Sequence, residues 1–474
     1  MSRALVVHAT DLLARGWAAT SPDRTGPDGE PVNALYSTVL ALRRALAMKT
    51  PDLALAVMDP RPDPTWPEAL AAQQPRLREV LEAHGLAVLE AEDATRTCAA
   101  LARGAVEAGH DVVVAGSDKR LAQLVGKGVW FYDAYKDVRY TPDRVHKRFG
   151  VGPASVGDWL ALVGDEGIPG IKGVGAKGAV GLIEAHDDAE GIMAAVETVE
   201  GRTGNALRKA GVDALRASFT LCRLDDPPLS GLVPYTPPDP EALNALYLDL
   251  GFAGLLKPTE APSGYRTAST AEEVRALVAS LGDAPVSVYA LTEDPSPVRG
   301  DLLGLALSAA PDTATWVPRE ALDGLSGWLA DPACPKLGHD VKAATVALAR
   351  RGSTLAGVVG DTALASHLVS PSGMAPHELD PLCRVRLHRA LQDPDAVLGR
   401  GNGRKRWAQV PAGKRAAFAC QRAEAALALW STFVPTDAVR MAEDLDLCET
   451  LVRMELRGMP VSAGELDTVG EDFE

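Results

Sequence analysis

Six glycines fall within the run Gly164-Asp165-Glu166-Gly167-Ile168-Pro169-Gly170-Ile171-Lys172-Gly173-Val174-Gly175-Ala176-Lys177-Gly178. Helical patterns flank it, Ser155 to Val163 before and Ala176 to Ala185 after. No single helix or strand tolerates glycine at that density, so the run is a turn between two helices. Glycine lets a backbone approach another molecule closely. The amides opening the second helix carry the positive end of its dipole. Lys172 and Lys177 add charge beside them. The arrangement is a platform for phosphate, although the same pattern also makes an ordinary helix–loop–helix.

A chain of 474 residues supports two or three domains with sizeable cores. Hydrophobic content of 46% against 23% charged residues is that of a globular protein. No apolar run reaches the roughly 18 residues of a membrane span. The apolar run after Met1 is too short for a signal peptide. Six scattered cysteines without a CxxC spacing suit a reducing cytoplasm, not a disulfide frame or a zinc site. A net charge of −15 excludes nucleic-acid binding over the whole surface, so any such contact is local.

The pattern predicts a strand over 4–7, a helix over 34–47 and a strand over 53–58 ending at Asp59. A helix follows over 77–83, then a strand over 86–89, a helix over 97–107 and a strand over 111–115 ending near Asp118. This alternation implies a mostly parallel sheet covered on both faces, with acids at strand carboxyl ends. Residues 141–221 read as helical, 224–240 as extended and 241–256 as a helix. A Pro/Ser/Thr/Gly linker follows. A second α/β unit begins near 270, with strands over 286–291, 303–308 and 313–317. Its helices span 271–281, 321–329, 341–351, 362–368, 412–433 and 438–457.

Gly-Ile-Pro-Gly-Ile-Lys-Gly-Val-Gly resembles the helix–three-turn–helix of the 5′ nucleases, as found at the front of bacterial DNA polymerase I. The segment order resembles that 5′-nuclease domain to about residue 260. The resemblance implies a PIN/FEN-like parallel-sheet nuclease domain over 1–140 and a helical duplex-binding subdomain over 141–260. A linker over 261–269, an RNase H-like (DnaQ-like) 3′–5′ exonuclease-type domain over 270–435 and the opening of a polymerase-like segment over 436–474 would follow. It implies duplex or branched DNA as partner, bound through Gly170, Ile171, Lys172, Gly173, Val174, Gly175 and Lys177, with K⁺ in the platform.

The family hydrolyses phosphodiesters with two divalent ions held by a dense carboxylate cluster. Here the pattern departs from it. The first strand's Val-Asp-Gly reads Val7-His8-Ala9. Asp59 is kept. Glu-Ala-Asp-Asp reads Asp93-Ala94-Thr95-Arg96, and Asp-x-Asp reads Asp118-Lys119-Arg120. Gly164-Asp165 is kept, but the residues after it are shortened. The candidate catalytic and metal residues are therefore Asp59, Asp93, Asp118 and Asp165, with His8 as a further ligand. Mg²⁺ or Mn²⁺ would serve if activity survives. Arg96 and Arg120 are expected to point at the ion positions and replace their charge by pairing with the acids.

The flap-gathering arch is shortened to Pro60–Glu68, with Arg61 and Trp66 as its contact candidates. A basic group (Lys119, Arg120, Lys127, Lys136, Arg139, Arg144, Lys147 and Arg148) precedes the platform. In the second domain only Glu293 remains of the first acid motif. Ala344 and Arg422 stand at acid positions, Phe418 stands for a tyrosine, and Asp361 matches a non-essential acid. That domain is expected to be a scaffold without nuclease activity.

The expected function is binding duplex DNA at nicks, flaps or junctions, with degenerate nuclease sites. Two alternatives stand beside it: an active 5′–3′ exonuclease or flap endonuclease with an altered metal site, and a protein-interaction partner of a separate DNA polymerase. Both a stand-alone chain and a fragment fit this pattern.

Overall fold

The structure is a computed structural model that describes residues 2–48, 50–126, 128–165, 167–258, 262–371, 377–433, 437–460 and 462–466. Lys127, Glu166 and Val461 lie outside them. The chain divides into two compact units, Met1–Phe252 and Ala253–Glu474.

The first unit is built on parallel strands β1 (Arg3–His8), β2 (Leu53–Met58), β3 (Val88–Glu90), β4 (Asp111–Gly116) and β5 (Val129–Asp133). They run in the order β3-β2-β1-β4-β5, with β6 (Val138–Tyr140) antiparallel at the edge. A short β7 (Val233–Pro234) pairs antiparallel with the start of β2. The central strands β1 and β2 are buried on both faces. That is why they read as continuous apolar runs rather than alternating ones. The chain crosses between parallel strands through helices such as Asn33–Met48 and Ala94–Glu107.

The helix Ala9–Ala19, directly after β1, was not expected from the sequence. His8 caps it by accepting from the Asp11 amide. The β5–β6 hairpin was also not expected.

The helical region expected as a separate subdomain shares one core with the sheet. Val6, Val114 and Phe131 belong to the same buried cluster as Leu160, Ile171, Leu182 and Phe219. The helix expected over 241–256 is Pro240–Asp249, followed by a 3-10 turn Ala253–Leu255. Gly251, at φ +72°, separates them.

The second unit is a mixed sheet in the order β13-β12-β9-β10-β11-β8. Its strands are β8 (Gly264–Thr267), β9 (Val286–Thr292), β10 (Leu302–Ser308), β11 (Thr313–Pro318), β12 (Lys336–Gly338) and β13 (Val358–Asp361). The expected linker over 261–269 is corrected here: β8 pairs parallel with β11 and is part of the sheet. The helix Ala412–Thr432 buries Phe418, Ala419, Ala423 and Leu429. Its small residues allow close approach to β9, β10 and β11.

Candidate functional site

The carboxyl ends of β1, β2 and β4 and the start of the helix Ala94–Glu107 surround a cleft of about 440 Å³. His8, Asp11, Asp59, Arg61, Trp66, Asp93, Thr95 and Arg120 line it. His8 Nδ1 faces the Asp11 amide at 3.3 Å and accepts from it. The proton of a neutral ring is then on Nε2, which lies 2.8 Å from Thr95 Oγ1. That hydroxyl also accepts from Arg120 Nη2 at 3.0 Å and donates to Asp118 Oδ2 at 2.9 Å. Its two lone pairs and one proton are all used. Both nitrogens of His8 are committed within the protein, so it is a packed histidine and not a free ligand.

The acids are held one by one. Asp118 pairs with Arg120 through contacts of 2.6, 3.0 and 3.2 Å. Burial alone would raise the Asp118 carboxyl. The Arg120 charge and hydrogen bonds outweigh it and hold the group below the usual carboxylate range. Asp93 caps its helix at the Arg96 amide and lies 3.5 Å from Arg96 Nε. Asp165 pairs with Lys119. Asp59 accepts from the Ala94 amide at 3.2 Å and has no ion pair among the described residues. No group of three His, Cys, Asp or Glu side chains suited to a metal occurs among the described residues. With Asp118 taken by Arg120 and Asp165 by Lys119, these side chains are not arranged to hold the two divalent ions that the resemblance implies.

Two expectations are corrected. Arg96 does not line the cleft; its guanidinium reaches Asp226 Oδ2 at 3.0 Å and the Thr220 carbonyl. Lys119 is not a free DNA contact, because Asp165 takes its charge. The other expected basic residues are partly committed as well. Lys136 pairs with Asp133 at 3.3 Å, Arg139 lies over the Trp130 ring at 4.0 Å, and Arg144 donates to the Arg139 carbonyl. Lys147 and Arg148 are exposed.

Sequence reasoning missed Asp11 and Thr95. The Asp11 carboxylate accepts from the Ser117 and Asp118 amides. Burial raises its pKa, with His8 partly opposing. Its place three residues after His8, in the first turn of a helix, was the available signal.

The glycine run connects the helices Val156–Val163 and Ala176–His186. Gly164, Gly167, Gly170 and Gly173 have φ of +85°, +74°, +61° and +103°. A Cβ on Gly170 would lie 2.5 Å from the Gly164 nitrogen. Ile168, Ile171 and Val174, three residues apart, are buried beneath the loop. Two expected contact residues, Ile171 and Val174, therefore offer only backbone. Lys172, Gly173, Gly175 and Lys177 are exposed, and neither lysine is in an ion pair among the described residues. Gly175 caps the second helix with no side chain over its amides.

A parallel sheet with acids at its carboxyl ends, joined to a glycine-rich helix–turn–helix and followed by an RNase H-like mixed sheet, defines a two-domain protein of nuclease type. The comparisons agree. The family model for the 5′–3′ exonuclease N-terminal resolvase-like domain matches residues 3–150. That for the DNA polymerase I ribonuclease H-like domain matches 289–429.

DNA polymerase I of Mycobacterium tuberculosis is 34% identical over 69% of this chain and 39% of its own length. That of Bacillus caldotenax is 27% identical over 93% and 54%. A 5′–3′ exonuclease of Aquifex aeolicus is 30% identical over 41% of this chain and 73% of its own. Among solved structures, zinc-bound T5 5′-exonuclease covers 47% of the chain and 89% of its own, at 16% identity and a TM-score of 0.38. The chain belongs to the 5′–3′ exonuclease family, in the form that opens DNA polymerase I. It spans about two-fifths of the Mycobacterium relatives' length. No helix among the described residues is long and apolar enough to cross a membrane.

Proposed function

We propose that this chain binds duplex DNA at nicks, flaps or junctions through residues 164–178 and hydrolyses it inefficiently or not at all. The observation that carries this reading is the pairing of Asp93, Asp118 and Asp165 with Arg96, Arg120 and Lys119. Arg120 and Lys119 balance the charge of Asp118 and Asp165 in place of a divalent ion, and neither can polarise a water or bridge a phosphate as that ion does. Asp59 is the one remnant acid left without an ion pair among the described residues.

The platform keeps what binding needs. Exposed glycine backbone, uncapped helix amides, Lys172 and Lys177 together suit a phosphate backbone. K⁺ in the turn, as the resemblance implies, would add to the same field. The process served on this reading is DNA repair or replication in the cytoplasm.

The test is affinity for a nicked duplex measured against salt. The reading requires a steep loss of affinity with salt that becomes shallower by about 2 in log–log slope in Lys172→Ala/Lys177→Ala. An unchanged slope would remove the platform from the interface.

A second reading, a partner for a separate polymerase, draws support from the net charge of −15 and from the helix Ala438–Arg457. That helix exposes Val439, Leu447 and Met454. Absence of duplex binding at low salt would favour it.

A further inference from the structure

The helix Ala438–Arg457 of the second unit has two unlike faces. Met441 and Val452 are buried, and Leu445 packs against the core around Leu382 and Leu429. Lys342 pairs with Glu455 and ties the helix to Val341–Ala349. One face is therefore fixed to the unit.

The other face carries an exposed apolar stripe. Leu447 is 55% exposed, Leu451 38% and Met454 63%. At spacings of four and three residues these side chains are neighbours on the helix surface. Nearly half of the large apolar side chains exposed among the described residues fall between positions 439 and 466. Single exposed apolar residues need no explanation, but a stripe of them on one ordered helix marks an interface.

Charge indicates what covers the stripe. Glu443, Asp446, Arg453 and Arg457 are exposed along its flank, acids toward the helix start and bases toward the end. The macrodipole favours that order within one helix, but it does not account for the apolar stripe beside it. Asp446, Arg453 and Arg457 are in no ion pair among the described residues, and Glu443 meets only Arg440, at 3.5 Å and in the open. The acidic half repels a phosphate backbone. It is complementary to the basic half of the same helix running the other way. With a rise of about 1.5 Å per residue, an antiparallel copy centred between Thr450 and Leu451 sets Leu447 level with Met454 of the second copy. Asp446 then lies level with the gap between Arg453 and Arg457 of that copy, and Glu443 within one residue of its Arg457. A parallel copy would set like charges level.

We propose that this face is a two-fold interface between two copies of this chain, with their Ala438–Arg457 helices antiparallel. The apolar stripe forms its centre and the acid–base contacts its rim, each made twice by symmetry. A single helix pair belongs with the small interfaces, under about 1,200 Å², so the dimer forms in the micromolar range. The proposal does not depend on the duplex platform, and it assigns to a second copy the face that a separate polymerase would otherwise use.

The test is sedimentation velocity on the full chain from about 1 to 200 µM at low salt. The parent chain should pass from monomer to dimer across that range. Leu447→Glu/Met454→Glu, at exposed positions, should weaken association at least tenfold with unchanged unfolding. Asp446→Arg and Arg453→Asp should each weaken it several-fold, because like charges then face each other twice. A one-to-one mixture of those two variants should regain the parent association, since each copy now supplies the charge its partner lacks. A chain that stays monomeric throughout, a dimer indifferent to Leu447→Glu/Met454→Glu, or a mixture that associates no better than its components would each overturn the proposal. A monomeric chain that binds a purified DNA polymerase, and loses it in Leu447→Glu/Met454→Glu, would overturn it in favour of that partner.

Discussion

The Thr95 hydroxyl ties His8, Asp118 and Arg120 into one hydrogen-bonded group. Thr95→Val keeps the volume and removes all three bonds. It should cost about 1–3 kcal/mol, read from urea unfolding, because it leaves a buried imidazole N–H unpaired. Arg120→Met strips Asp118 of its cation where both side chains are under one-fifth exposed. A loss near 3 kcal/mol is expected there.

The same pair sets an acid limb. Asp118 titrates below its unfolded value of about 3.9. Its stabilisation is therefore full above that value and is lost as pH falls through the folded pKa. Asp11 is raised, so its contribution has the opposite sign: present at low pH and lost as pH rises through its folded pKa. Stability measured from pH 7 down to 3 should fall less in Arg120→Met than in the parent chain. An equal fall would mean that other acids set the limb.

At the scale of elements, the platform depends on left-handed glycine. Gly170→Ala introduces strain at φ +61° and a backbone clash with Gly164. It should cost more than about 1 kcal/mol of stability and weaken nicked-duplex binding in parallel. Intact binding in that variant would show that the loop conformation is not what grips the phosphates.

The long elements were legible in the sequence because apolar runs such as Val112–Ala115 and helical patterns such as Ala412–Thr432 are strong local signals. β8, β12 and β13 were not. Gly264–Thr267 is partly exposed and charged, and Lys336–Gly338 is too short to show a period. Their strand character comes from neighbours in the sheet. The site divides the same way. Arg120 beside Asp118 could be read from adjacent positions. The Lys119–Asp165 pair could not, because the fold joins residues 46 positions apart. Arg96 turned toward Asp226 for a similar reason: its partner is supplied by a distant extended segment.

At the scale of the whole molecule, separate cores, one around Val6 and Leu160 in the first unit and others around Leu305 and Phe418 in the second, underlie the two compact units. Urea unfolding followed by tryptophan fluorescence and circular dichroism should show more than one transition. A single coincident transition would mean that the units stabilise each other strongly. On the proposed reading, the excess of acid over base, 63 residues against 48, confines DNA contact to a local, salt-sensitive patch.

On the proposed reading, phosphate grip persists where the cutting acids have been neutralised by internal cations. The most direct measurement is turnover of a labelled 5′-flap duplex, at protein concentrations that saturate binding, in Mg²⁺ and then Mn²⁺. The bound substrate is expected to stay uncut. Specific cleavage that disappears in Asp118→Ala would contradict it.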